Sequence, residues 1–379
     1  MKRLTEEERL RETRLARLRA ERAKKRAHRK ALSRAEREQF HHELLRFTAK
    51  HRLKMPSDGD RVPVLLPREI SLRNNYLETI AAISALRDTV LLGNQPAMLY
   101  FDHVERLEPA ATLLLTAEIF RCRKLRPFGG KRHMVHGNYP HVIDVFLQLR
   151  EMGFYDLIGI NPQDDFPDGR GTEGRPWFLP FHSFNRAEPT VPRELSTWIN
   201  DHAIPMTDQE RRRMNEALKE AMFNAIDHAY ADASEYPRMT NRWWLGGFIS
   251  AERQEMMLIL LDQGIGIPRS LTAKWGERVR SLLKSGSVNP TDGQMIKAAT
   301  ELFRTSTGED GRGRGFRDMK RFVDESADGE LRVLSNCGVY HYMKSGEHVS
   351  DHDRSIGGTL LEWRVRKLPP PAVEDRDDV

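Results

Sequence analysis

Apolar residues recur along this chain with two different periods. Between Asp208 and Ala233 they fall three to four apart, at Met214, Leu218, Ala221, Met222 and Ala225, which predicts a long amphipathic helix. Met256 to Leu261 is instead a continuous apolar run, as in a buried strand, and it delivers Asp262 followed by Gly264 and Gly266. Arg317 to Glu325 is helical again and is entered from Gly311-Arg-Gly-Arg-Gly-Phe316. Nearer the start, Val62–Leu66, Ala97–Asp102 and His133–His136 are strand candidates, while Tyr76–Leu92, Pro109–Leu125 and Val142–Met152 have helical spacing. Strands and helices in alternation predict a layered α/β unit over residues 60–160. Residues 161–190 are rich in Pro, Gly and Asp and predict a linker, within which Trp177–Phe184 adds a strand that Pro180 restricts to a sheet edge. The second unit spans 191–368, and 369–379 reads as a disordered acidic tail.

Three polar stretches sit on these elements. Glu220 and Asn224 are four apart, so they share one helix face, with Asp227 close to it. A carboxylate there can accept a proton from water or a hydroxyl, and a carboxamide oxygen is a hard neutral ligand that suits Mg²⁺. The bland reading of such a pair is a solvated helix surface. Asp262, at a strand end, can accept a hydrogen bond from an amino group such as the exocyclic amine of adenine, and the glycines after it let backbone approach a ligand. The glycines Gly311, Gly313 and Gly315 lead into a helix N-terminus, an anion site to which Arg312 and Arg314 add charge suited to phosphate.

In this order the stretches resemble the boxes of the GHKL (histidine kinase-like) ATPase superfamily, whose members include type II topoisomerase ATPase subunits, mismatch-repair ATPases, heat-shock chaperones, sensor histidine kinases and anti-sigma-factor serine kinases. Glu220-xxx-Asn224 resembles the N box, Asp262-x-Gly264-x-Gly266 the G1 box and Gly311-x-Gly313-x-Gly315 the G2 box. Lys320-Arg-Phe-Val, Asp328-Gly-Glu-Leu-Arg-Val and Gly357-Gly-Thr359-Leu-Leu-Glu-Trp extend the similarity over roughly 200–366. The resemblance implies an α+β sandwich of the Bergerat type that binds ATP and Mg²⁺. Glu220 would be the general base and Asn224 the Mg²⁺ ligand, with Asp227 beside them. Asp262 would read adenine, Gly264 and Gly266 would line the base pocket, and Gly311, Arg312, Gly313 and Gly315 would wrap the phosphates. Thr359 would support Asp262 from behind through water. Arg269 to Asp310 would be the ATP lid, against the plainer reading of a static surface connection. Arg314 and Phe316 depart from the family's small aliphatics, and 336–356 lengthens the turn before the last strand.

The first unit resembles a STAS domain, the fold of anti-anti-sigma factors, through Met98-Leu-Tyr-Phe-Asp-His-Val-Glu-Arg-Leu-Glu-Pro-Ala-Ala-Thr-Leu-Leu-Leu115. The serine phosphorylated in that family would fall at Pro109 or Ala110, so the resemblance implies docking or regulation and not phosphate acceptance.

Charge adds one region. Residues 1–54 hold 19 Lys/Arg against 8 Asp/Glu, in a chain of 379 residues whose formal net charge is +6, so the remainder is mildly acidic. The segment has helix-forming composition and reads as a solvated helical or disordered arm, or as a contact for nucleic acid or another polyanion. No aromatic residue precedes Phe40 in it, so base stacking is unsupported. His41-His42-Glu43-Leu44-Leu45-Arg46 is similar to the phospho-acceptor box of sensor kinases but lacks its proline, and a surface histidine is the default. His348 and His352, with Glu347, Asp351 and Asp353, have a spacing a metal could use on a helix, though a polar loop is the plainer reading. Two cysteines, Cys122 and Cys337, point to a reducing compartment. No apolar run reaches the length of about 18 needed to span a membrane. Gly-x-x-x-x-Gly-Lys-Ser/Thr is absent, which excludes a P-loop.

These readings converge on a cytoplasmic Mg-ATP-binding ATPase that acts as a nucleotide-dependent switch. Its expected partners are a protein engaged through the STAS-like unit, nucleic acid through the arm, and a second copy of the chain. The alternatives are a serine/threonine kinase resembling anti-sigma-factor kinases and a regulatory module that binds ATP without chemistry.

Overall fold

The computed structural model describes residues 61–125, 134–158, 176–202, 206–230, 241–271, 290–305 and 315–367, with the side chains of 302–305 left aside. The chain is mixed α/β throughout. The first unit has strands β1 (Val62–Leu65), β2 (Glu69–Ile70), β3 (Ala97–Tyr100), β4 (Arg106–Leu107) and β5 (Val135–Gly137). β1, β3 and β5 form a parallel sheet in that order, and β2 pairs with β4. Its helices are α1 (Tyr76–Arg87, continued by a π-turn over Asp88–Leu92), α2 (Pro109–Leu125), α3 (Ile143–Glu151) and the short α4 (Phe154–Leu157). Pro109 opens α2 where its missing N–H costs no hydrogen bond.

A seven-stranded sheet follows, built from β6 (Trp177–Phe184), β7 (Trp243–Ser250), β8 (Glu255–Asp262), β9 (Asp328–Ser335), β10 (Gly338–Met343), β11 (Gly346–Asp351) and β12 (Thr359–Arg366). Its order is β11-β10-β9-β12-β8-β7-β6, and every pairing is antiparallel. β6 takes the edge expected of a Pro180-bearing strand, so the described part of 161–190 is sheet from Trp177 to Phe184. Residues 336–356, expected to be a lengthened turn, instead form the β10–β11 hairpin and add two strands to the other edge. Among the described residues the helices that accompany this sheet are α5 (Val191–Asp201), α6 (Asp208–Asp227), α7 (Asp292–Thr305) and α8 (Gly315–Asp324).

Side-chain alternation divides the sheet into two buried faces. Met256, Leu258 and Leu260 of β8 join Trp243, Leu361 and Trp363 in a core with α5, α6, α7 and α8. Met257, Ile259 and Leu261 join Trp244, Leu334 and Leu360 in a second core, shared with α1, α2 and α3 of the first unit. Antiparallel sheets often leave one face to water. Here the first unit covers that face, which explains the unbroken apolar run of β8.

Part of this back contact is ionic. Arg73, between β2 and α1, pairs with Glu362, which is fully buried, and with Glu330 at 2.6 Å. Arg332 lies 3.7 Å from Glu362. Burial pushes the Glu330 carboxyl up, but His341 and Arg73 outweigh it and hold it at about 2. Glu108 accepts hydrogen bonds from the Ser71 hydroxyl at 2.7 Å and the Arg73 N–H at 3.1 Å, and so ties the start of α2 to this corner.

No helix among the described residues is long and apolar enough to cross a membrane.

Candidate functional site

α6 begins with a capping box: Thr207 accepts from the Glu210 N–H at 3.2 Å, and the Glu210 carboxylate accepts from the Thr207 N–H at 2.6 Å. Met214, Ala217, Leu218, Ala221, Met222 and Ala225 are buried against the sheet and its helices. That orientation leaves Glu220 and Asn224 half-buried on the flank of the helix.

α8 starts at this flank. A Cβ placed on Gly315 would lie 3.1 Å from Glu220 Oε2 and 3.5 Å from Asn224 Nδ2. Glycine at the first position of α8 therefore lets a helix N-terminus, with its unpaired N–H groups and partial positive charge, come close to both side chains. One turn into α8 lies Asp318, a buried residue 3.2 Å from Arg321. Burial first, and then the nearby Asp318, push the Glu220 carboxyl above the ordinary glutamate range. That favours a group able to exchange a proton closer to neutrality.

Asp262 closes β8 and is 5% exposed. Its Oδ1 accepts the Gly264 N–H at 2.9 Å. Thr359 stands opposite it in the β8–β12 register and donates to it directly through both its backbone N–H and its hydroxyl. Burial pushes the Asp262 carboxyl up to about 7 in spite of these hydrogen bonds from Gly264 and Thr359. Ser335, at the end of β9, lies 3.0 Å from the Thr359 hydroxyl and accepts the Ile267 N–H at 2.8 Å.

The loop after Asp262 is tightly held. Gly264 lies against Ala229 so closely that a Cβ would stand 2.2 Å from the Ala229 carbonyl oxygen, which accepts the Ile265 N–H at 2.9 Å. Gly266 has φ +83°, a left-handed conformation that favours glycine, and packs on Asn336, whose amide donates to the Ile265 carbonyl at 3.1 Å. The Gln263 N–H donates to the Tyr230 hydroxyl at 3.0 Å. Ala229 and Tyr230 follow α6 directly, so the same short segment joins the Glu220/Asn224 flank to the Asp262 loop.

The structure therefore brings Glu220, Asn224 and Gly315 together in one group and Asp262, Gly264, Gly266 and Thr359 in another, connected through 228–230. Asp227 is exposed in the last turn of α6. Gly311, Arg312 and Gly313 lie outside the described residues, as do most of the expected lid and the arm 1–54.

Sequence reasoning did not single out Asp318, Ser335, Tyr230 or Asn336. Asp318 had a signal, since it lies three residues after Gly315 and so on the same helix face. Ser335 had another, a polar residue closing an apolar strand as Asp262 does. The polar loop expected at 347–353 is strand as far as Asp351, and the helix on which the spacing could have served a metal does not form. Glu347, His348 and Asp351 are in strand β11, with His348 opposite His341, and His352 stacks on Tyr76 with ring centroids 3.5 Å apart. Among the described residues no group of three or more His, Cys, Asp or Glu is placed to hold a metal ion.

No protein-family model matches the chain, and a search of curated proteins finds no match.

Proposed function

We propose that this chain is a GHKL-type ATPase that binds Mg-ATP between the N-terminus of α8, the Glu220/Asn224 flank of α6 and the Asp262 loop. The observation that carries the reading is the approach of Gly315 to Glu220 and Asn224. It puts a candidate base, a neutral oxygen ligand and a helix N-terminus within a few ångströms, which is the donor set that a metal-bound polyphosphate requires.

The residues present fit both groups. Gly315 leaves a cradle that any Cβ would narrow. Asp262 offers a buried acceptor that a base amino group suits. Mg-ATP, when bound, supplies a terminal phosphoryl group whose charge the metal shares. Asn224 would hold the metal through its amide oxygen, and the first N–H groups of α8 would face phosphate oxygens. Glu220 would take the proton from an attacking water. Asp262, oriented by Gly264 and Thr359, would select the base.

An all-antiparallel sheet whose own unit places its described helices on one face supports the GHKL assignment. The parallel β1-β3-β5 sheet with α1 and α2 supports a STAS-like reading of the first unit. On this reading the first unit regulates, and the nucleotide state changes how it engages a protein partner.

The deciding measurement is phosphate release from ATP with Mg²⁺ for wild type and Glu220→Ala, alongside nucleotide binding. The reading expects release to fall at least 100-fold with binding kept, as for loss of a general base. Equal release from both proteins would remove Glu220 from the reaction. Label appearing on an added protein instead of as free phosphate would turn the reading to kinase chemistry.

A further inference from the structure

The nucleotide site proposed above has a back wall, and the first unit supplies it. Glu118, in the middle of α2, is fully buried. Its carboxylate accepts from Arg87 Nη2 at 3.0 Å, from Arg121 Nε at 3.2 Å and from Gln263 Nε2 at 3.3 Å. Gln263 is the residue after Asp262 and is 1% exposed. One carboxylate of the first unit therefore holds the side chain adjoining the base-reading residue.

Arg87 reaches the second strand of the same pocket. Its guanidinium lies beside Gly357, where a Cβ would stand 3.1 Å from Nη2. Gly357 and Gly358 lead straight into Thr359, the residue that hydrogen-bonds Asp262. α1 adds a second contact on this loop, since Tyr76 stacks on His352 and donates to the Arg354 carbonyl at 2.6 Å. The end of β8 and the start of β12 are thus both braced from behind by one ion-paired cluster.

A mere staple between two layers needs no link to the pocket. Apolar contacts already join these layers, as Trp244 and Phe120 do with ring centroids 5.2 Å apart. A buried carboxylate shared by two guanidiniums is costly to desolvate and rigid in geometry. Such groups hold a neighbouring site in one arrangement.

We propose that Glu118, together with Arg87, is a positioning residue for the nucleotide site, acting through Gln263 and Gly357 to set Asp262 and Thr359. A partner that shifts α1 or α2 then changes nucleotide affinity, and by linkage nucleotide changes the affinity for that partner. The inference rests on the nucleotide reading above, and its test separates the two.

The variant is Gln263→Met in the full chain, which removes the amide but keeps the length of the side chain. In nucleotide-free protein, amide hydrogen exchange over 262–267 is expected to rise about tenfold, while β6 and the melting midpoint stay near wild type. With ATP and Mg²⁺, KM is expected to rise about tenfold with kcat within about twofold, a split that loss of overall stability does not produce. Arg87→Lys, which keeps the charge without the fork, is expected to give the same changes in smaller measure and serves if the first variant does not fold. Unchanged exchange over 262–267 overturns the inference. So does an unchanged KM in protein that turns over ATP. Faster exchange in a protein that neither binds nor hydrolyses ATP sinks the nucleotide reading and leaves the positioning role standing.

Discussion

Buried carboxylates occur on both sides of the seven-stranded sheet, but they live under opposite conditions. On the back, Glu118, Glu330 and Glu362 each meet at least one guanidinium. Burial is outweighed by pairing there, and Glu118 and Glu330 are held below the ordinary range. On the front, Asp262 and Glu220 are in no ion pair among the described residues, and burial pushes both up. The two arrangements serve different ends. A paired carboxylate fixes one layer on another and changes little with pH. An unpaired one is held in tension, ready to accept a hydrogen bond or a proton, and such groups mark sites of chemistry more often than sites of assembly.

The contrast is tested most severely at Glu362. Glu362→Ala leaves Arg73 and Arg332 without their shared partner, and the expected loss is about 3–5 kcal/mol, read as a fall in the denaturant midpoint. Arg332→Met combined with Glu362→Leu is expected to recover much of it, since Arg73 keeps Glu330 and the main cost is the buried Arg332 charge left short of a partner. A loss below about 1 kcal/mol for the single variant would mean that the back face is not held by pairing.

Asp262 comes next. Burial pushes its carboxyl up to about 7 in the fold, from 3.8 for the free group. The folded protein therefore binds more protons between those values. The associated stability is full below about pH 4 and is lost as pH rises to about 7, on the order of 4 kcal/mol. Asp262→Asn is expected to abolish that decline in ligand-free protein, measured as melting temperature between about pH 4 and 8. An unchanged slope would place the tension elsewhere.

The smallest effect is kinetic. Asp318→Asn removes the negative neighbour of Glu220, lowering the pKa of Glu220, so the acid limb of the pH profile of kcat/KM should move to lower pH. No movement would separate Asp318 from the site.

Much of the front face was legible in the sequence. α6 starts at Asp208, where the apolar spacing put it. The face shared by Glu220 and Asn224 follows from helical geometry alone. The glycine loop after Asp262 follows from an apolar run that ends abruptly. The back face was harder to read. Arg73 and Glu362 are 289 positions apart, and no local pattern links them. A clue existed in β8, whose lack of alternation demands two covered faces, but helices drawn from the second unit account for only one of them. The β10–β11 hairpin escaped notice because β11 is an exposed edge strand of mixed polar residues, without the alternation that marks a half-buried strand.

The place of β12 in the sheet has a consequence for how the protein comes into being. β12 is the last strand among the described residues, yet it lies between β8 and β9. As the polypeptide leaves the ribosome, β7 and β8 can pair early as a hairpin, with β6 joined to β7 across the α5–α6 connection, and β9, β10 and β11 can pair as successive hairpins. Both groups wait with an open edge until residues 359–366 arrive to join them. Asp262 waits with them, since Thr359 is the residue that restrains it. A nascent chain stalled before that point would hold most of the residues of the site without the strand that restrains Asp262, and it would expose two unpaired strand edges to its neighbours.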